Sequence, residues 1–181
     1  TMAVSSTVGV GKSTIVANVA MAATRAGHRV LVIDADFGNQ ALSRLVLGDI
    51  RLAPGLPEIA EGSHQLEDAV GCVVVGAAGS FDLLGRGIRP VVAPDFFSSR
   101  VTHQTINDIA ADYDMVLIDG PPLMQVAYAS TIARVAKTSI MIIPHRASMG
   151  EMRELHDRLR FVGSHVLGYV YNRSPVRPEM M

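Results

Sequence analysis

The chain has 181 residues, 49% of them hydrophobic, with 16 Lys and Arg against 17 Asp and Glu. A net charge of −1 leaves no broad basic face for nucleic acid, and a single cysteine excludes an internal disulfide. The apolar residues fall in short runs, none near the ~20 that a membrane-spanning helix needs, and no signal-peptide pattern opens the chain.

In chain order, short apolar runs alternate with helical patterns. This is the signature of a parallel sheet with crossover helices. Strands are predicted over Met2–Ser5, Arg29–Asp34, Val73–Val75, Met115–Asp119, Ser139–Ile143 and Val166–Tyr171. They read as continuous Val/Ile/Leu runs, as expected where both faces of a sheet are covered. Helices are predicted over Lys12–Arg25, Gln40–Leu47, Val101–Asp112, Ala127–Val135 and Gly150–Val162, with short ones near Leu56–Ala60 and Leu66–Val70. The stretch from Gly76 to Pro94 is rich in Gly and Pro and reads as loop, with room for one short strand at Phe81–Leu84. Cys72 precedes Val73-Val-Val75 and is read as a buried structural thiol. The expectation is one α/β domain over 1–181, a mostly parallel central sheet with helices on both faces in three layers. Thr1-Met2 runs almost directly into the first strand, so the sequence reads as a domain cut from a longer protein.

The first strand, turn and helix carry the chemistry. Ala3-Val-Ser-Ser-Thr-Val-Gly-Val-Gly-Lys-Ser-Thr14 places a glycine-bearing turn between an apolar strand and a helix, an order that builds a phosphate cradle. Thr7, Val8, Gly9, Val10, Gly11, Lys12, Ser13 and Thr14 would wrap the phosphates of ATP or ADP. Gly9 and Gly11 let the backbone curl close. Lys12 supplies a point charge for the β- and γ-phosphates, and the Ser13 hydroxyl is placed to ligate Mg²⁺. The pattern GxxxxGK[ST] is broken at its first position, where Ser6 stands.

Three aspartates close predicted strands, the edge where ligands collect in an open parallel sheet. Asp34 and Asp36 end Val30-Leu-Val-Ile-Asp-Ala-Asp36, and Asp119 ends Met115-Val-Leu-Ile-Asp119. Asp34 and Asp119 are assigned to a magnesium shell together with Ser13. Asp36, with Lys12 a candidate catalytic residue, should face the acceptor of the phosphoryl group and orient or deprotonate it. A lone strand-end Asp is otherwise a loop cap or turn former, and for Asp36 that reading stays open.

Together these residues resemble the cytoplasmic domain of the bacterial tyrosine kinases (BY-kinases) of capsule and exopolysaccharide systems, within the wider group of septum-site and partition ATPases. The resemblance rests on the loop at Ser6–Ser13, the Asp-x-Asp motif at Val30–Asp36 and Asp119-Gly-Pro-Pro122. Lesser matches are Gly55-Leu56 with Glu61-Gly62, Asp82-Leu-Leu84 and Leu167-Gly-Tyr-Val-Tyr-Asn172. It implies a P-loop NTPase fold and transfer of the γ-phosphate of ATP to tyrosine hydroxyls. It also implies a homo-oligomer, a membrane-embedded polymerisation or export partner, and a place on the cytoplasmic side of the membrane. By the same resemblance Asn172 matches a position that contacts adenine in related ATPases; a turn residue after a strand is the plain alternative. The chain departs from the family at Val10, where Glu is usual, at Gly38, where Arg is usual, and at Ala127-Tyr-Ala129, where an acidic residue is common. The tyrosine-rich tail is absent from Arg173–Met181, and Tyr169 and Tyr171 read as strand residues. A nucleotide-switched module with little kinase activity is therefore the alternative. A partition ATPase ranks lower, because the signature lysine is missing from Thr7-Val8-Gly9. Arg86, Arg89, His145 and Arg146 could neutralise phosphate charge or be solvated loop residues. Phe96-Phe97 reads as a packing pair at a helix start.

Overall fold

The computed structural model describes residues 1–5, 7–48 and 53–174; Ser6 of the loop and 175–181 of the tail lie outside them. Seven strands form one sheet in the order β3-β4-β2-β5-β1-β6-β7. They are β1 (Met2–Val4), β2 (Val30–Asp34), β3 (Val70–Val74), β4 (Ser80–Leu84), β5 (Met115–Asp119), β6 (Thr138–Pro144) and β7 (His165–Asn172). All neighbours are parallel except the β3–β4 hairpin.

The helices are α1 (Lys12–Arg25), α2 (Ala41–Leu47), α3 (Leu56–Ala60), α4 (Leu66–Ala69), α5 (Ala93–Ser98), α6 (Arg100–Ala110), α7 (Ala129–Ala136) and α8 (Met149–Phe161). Successive side chains of a strand point to opposite faces, and β2 shows the consequence. Val30 and Val32 meet Val16, Ala20 and Leu42 from α1 and α2 on one face. Leu31 and Ile33 belong to the core on the other, with Leu56, Phe97, Ile106 and Ile132. Burial on both faces explains the unbroken apolar run of this strand.

Three expectations are corrected at the sheet edges. Strand β3 begins at Val70 rather than Val73, because its antiparallel partner β4 pairs Val70 with Leu84 and Cys72 with Asp82. Cys72 is exposed, not buried, since an edge strand is covered less completely. Strand β7, at the opposite edge, alternates rather than running buried on both faces: Leu167, Tyr169 and Tyr171 stand 55–58% exposed. Helix α5 falls inside and just beyond the stretch read as loop. Its Phe97 is buried at 5.0 Å from Phe37, ring centre to ring centre, so the Phe96-Phe97 pair does pack.

Candidate active site

The turn between β1 and α1 owes its shape to two glycines. Gly9 and Gly11 have φ of +72° and +95°, where side chains with a Cβ are strained. Gly11 is the N-cap of α1, and no side chain caps it. The first backbone N–H groups of the helix are therefore free for an anion. Val8, Gly9, Gly11, Lys12, Ser13 and Thr14 line a cavity of about 280 Å³, joined by Asp36, Asn39 and Arg173.

The remaining predicted loop residues hold the cradle from behind. Thr7 accepts a hydrogen bond from Ser5 Oγ at 2.7 Å through its carbonyl. Val10 is buried in the core beside Val16, and its carbonyl accepts from Asn172 Nδ2 at 2.8 Å. A side chain at Gly11 would meet that same Nδ2 at 2.3 Å. Asn172 is thus a brace against the loop, a role neither sequence reading described; the end of β7 brings it there.

Parallel pairing sets Asp34 directly opposite Asp119 on neighbouring strands. Both are buried. Ser13 Oγ donates to Asp119 Oδ2 at 2.6 Å. Ser43, on α2, donates to Asp34 Oδ2 through its backbone N–H at 2.9 Å and its hydroxyl at 2.6 Å. The second oxygen of each carboxylate, Oδ1, has no hydrogen-bond partner among the described residues. Buried oxygens left without a donor are costly unless a cation or water meets them.

The electrostatics point the same way. Burial pushes the Asp119 carboxyl up to about 7; the Ser13 bond and Lys12 oppose this, while Asp34 and Asp36 add to it. Burial also raises Asp34, against the two Ser43 bonds. Lys12 is buried and its ammonium lowered by desolvation, opposed by the attraction of Asp119 and Asp36. Three carboxylates around one lysine leave an excess of negative charge that a divalent cation would offset.

The residues fit a magnesium-bound nucleotide. Ser13 donates its hydroxyl hydrogen bond to Asp119 and keeps its oxygen lone pairs, and the two Oδ1 atoms lack donors among the described residues. No group of three or more His, Cys, Asp or Glu side chains clusters for a metal among the described residues. The ion would therefore draw its other oxygens from phosphates and water, as magnesium does on nucleotides. Asp36 is half-buried on the cavity wall.

Sequence reasoning missed Ser43, Arg173 and Glu58. Ser43 and Arg173 carry no local pattern; only the fold brings them here. Glu58 was legible as an N3 acid reaching back to the Gly55 N–H, half of a capping box. Buried, it accepts from the backbone N–H groups of Gly55, Ile88 and Arg89 at 2.8–3.0 Å, tying α3 to the segment after β4. His145 Nδ1 lies 3.1 Å from the Tyr171 hydroxyl, and Arg146 is not on the cavity wall.

EpsB of Ralstonia nicotianae, which bears a tyrosine-protein kinase name, is 32% identical over 167 residues, covering 92% of this chain and 22% of EpsB. Tyrosine-protein kinase Wzc of Salmonella typhimurium is 30% identical over 166 residues, 90% of this chain and 22% of Wzc. The chain thus spans about a fifth of the length of these two relatives. The crystal structure of the VpsO kinase domain superposes with a TM-score of 0.85 at 25% identity, over 96% of this chain and 84% of that one. With a family model matching residues 2–165, the chain belongs to the AAA domain family AAA_31, and its relatives within it carry tyrosine-protein kinase names.

Proposed function

We propose that this domain binds ATP with Mg²⁺ and transfers the γ-phosphoryl group to tyrosine hydroxyls. The observation that carries this reading is the pair of buried, adjacent carboxylates, Asp34 and Asp119, each with one oxygen lacking a donor, beside Lys12 and Ser13. Bound magnesium would supply charge neutralisation across the β- and γ-phosphates. The loop N–H groups and Lys12 hold those phosphates, and Lys12 meets the charge that develops on the leaving oxygen. Asp36 takes the phenolic proton as the new O–P bond forms and the bond to the β-phosphate oxygen breaks, leaving ADP. Asp36 and the cradle share one cavity wall, so the roles need no rearrangement of the strands.

A second reading is a nucleotide-switched module with weak transfer, and the tyrosines favour it. Tyr113 donates to Asp82 at 2.7 Å, Tyr128 stacks on Phe97 at 5.5 Å, and Tyr169 and Tyr171 lie in β7. All four tyrosines of this sequence thus lie in strands or packed against the fold, away from the cavity wall that carries Asp36. The parent function we infer is regulation of polysaccharide polymerisation or export, at the cytoplasmic side of a membrane, through a homo-oligomer and a membrane-embedded partner. Among the described residues no helix is long and apolar enough to cross a membrane.

The test is incubation with labelled ATP, Mg²⁺ and a separate tyrosine peptide. Phosphotyrosine should form, and Asp36→Asn should remove it while sparing nucleotide binding. ATP binding with no phosphotyrosine, together with ATP-dependent association, would establish the switch instead.

A further inference from the structure

Beyond the nucleotide cavity, a second cavity of about 380 Å³ opens on the far side of Phe37-Gly38. Its walls are the turn after β2, the Arg86–Val91 segment after β4, and Tyr128. The volume lies in the range of small-ligand pockets, about 300–1,000 Å³. Three features give it a chemistry. Its floor is aromatic, from Phe37 and half-buried Tyr128. Two arginines stand on one wall: Arg86 Nη1 donates to the Phe37 carbonyl at 3.3 Å, and Arg89 pairs with Glu61 at the exposed rim. Ile88 and Val92 add exposed apolar side chains beside it, 51% and 65% accessible. The wall is preformed, because buried Glu58 fixes the backbone N–H groups of Ile88 and Arg89.

The cavity borders the acceptor side of the proposed active site, with Gly38 on its wall and Asp36 on the wall of the nucleotide cavity. Asp36 immediately precedes Phe37, and Gly38, which has no side chain, lies beside Asp36 Oδ1: a Cβ there would sit 3.8 Å from it. The Tyr128 hydroxyl lies in the field of Asp36; burial first, then that charge, pushes it up to about 12. A wall with a positive rim next to a proton-accepting carboxylate suits a substrate that is apolar at the reacting group and negative beside it.

We propose that the groove between Phe37-Gly38 and Arg86–Val91 docks an extended protein segment in which a tyrosine is flanked by acidic side chains. The phenol lies against Phe37 and Tyr128 and reaches Asp36, while a flanking carboxylate displaces Glu61 from Arg89. The phosphoryl acceptor role rests on the transfer reading above; the docking chemistry does not.

The two are separated by using peptides in which Phe replaces the acceptor Tyr, so that binding is read without chemistry. With the full chain, fluorescence anisotropy should show a Glu-flanked peptide binding about tenfold tighter than a Gln-flanked one at low salt, with the gap closing as salt rises. Arg89→Glu should erase the preference, and Glu61→Gln should strengthen binding about threefold by freeing Arg89. Both residues are exposed, and both variants should keep wild-type ATP affinity. Equal binding of the two peptides, or an unchanged preference in Arg89→Glu, overturns the proposal. So does equal competition by an RNA oligomer, which would mark the arginines as an unselective cationic rim. Phosphorylation of Tyr peptides at equal kcat/KM whatever their flanks overturns the groove and leaves the kinase reading intact. Arginine-dependent binding of acidic peptides with no phosphotyrosine on their Tyr forms upholds the groove and removes the kinase.

Discussion

One methyl group added at Gly11 would strike Asn172 Nδ2 at 2.3 Å, at a residue whose φ is +95°. Gly11→Ala therefore suffers two separable faults, a collision and a left-handed backbone that costs about 1–2 kcal/mol with a Cβ. Nucleotide affinity should fall at least about tenfold, because the displaced loop no longer aims its N–H groups. Adding Asn172→Ala removes the collision but not the strain, so the double variant should recover part of the affinity; a double-mutant cycle in calorimetry reads the coupling. Full additivity of the two losses would mean that the brace and the cradle are independent. Lys12 is a different kind of residue. Its ammonium is buried among carboxylates and strained toward deprotonation by lost hydration, a state tolerated when a phosphate completes its coordination. Lys12→Ala should abolish measurable triphosphate binding, and turnover should drop on the order of 10²–10³-fold. Wild-type ATP affinity in that variant would remove the lysine from the site.

Helix α3 has only five residues, too few to stand by propensity, and its N-terminus is held by Glu58. Burial works against the Glu58 carboxylate, but the N–H groups of Arg89, Gly55 and Ile88 more than offset it and hold the carboxyl below its ordinary value. A carboxylate with a depressed folded pKa stabilises above the unfolded value and loses that contribution as pH falls toward the folded one. Glu58→Gln keeps the shape but loses the charge and faces an amide toward donors, so it should cost about 2 kcal/mol near neutral pH. Its acid unfolding limb should also be flatter than that of the parent. Denaturant melts at pH 7 and pH 3.5 check both; an equal loss at the two pH values would mean that the charge plays no part. The same segment shows what the sequence could and could not carry. Strands β1, β2 and β5 were legible because burial on both faces writes itself as an unbroken apolar run, and the Gly-Lys-Ser turn fixed where α1 begins. Strand β4 was legible at Phe81–Leu84, but the start of β3 was placed three residues late because Val73-Val-Val75 is the apolar part, whereas pairing to β4 decides the ends. Phe96-Phe97 was read as a helix-start pair, but the separate helix α5 ahead of α6 was not, since its packing comes from Phe97 against Phe37 and Tyr128, contacts distant in sequence. At the site, the loop and the three aspartates are local signals, whereas Ser43 and Arg173 reach it only through tertiary folding.

Taken as a whole, the molecule gathers its electrostatic discord at one place, the carboxyl ends of β1, β2 and β5, and a ligand at that junction should act on the stability of the entire sheet. Without metal, Asp119 binds its proton more tightly folded than unfolded, since its carboxyl lies up near about 7. The folded state then holds more protons than the unfolded state between roughly pH 4 and 7, so stability falls as pH rises through that window. Asn at this position carries no such charge. In EDTA, Asp119→Asn should be more stable than the parent at pH 8, where the parent carries the full buried charge, and close to it at pH 5, where the parent is largely protonated. Magnesium and ATP should reverse the order. A ligand at about 100 times its Kd stabilises the parent by about 2.7 kcal/mol, roughly 5–10 °C for a domain of this size. The variant keeps the loop but loses the charged partner that orients Ser13, and should gain far less. Thermal melts at pH 5 and pH 8, in EDTA and in Mg²⁺ with ATP, give the four comparisons. If Asp119→Asn is the less stable protein at pH 8 in EDTA, the carboxylate is a structural hydrogen-bond acceptor first. If both proteins shift equally with Mg²⁺ and ATP, Asp119 is not part of the metal shell. The crossing of the two orders is what a site built for a cation predicts: the same buried charge that weakens the empty fold is the one that the ligand turns to advantage.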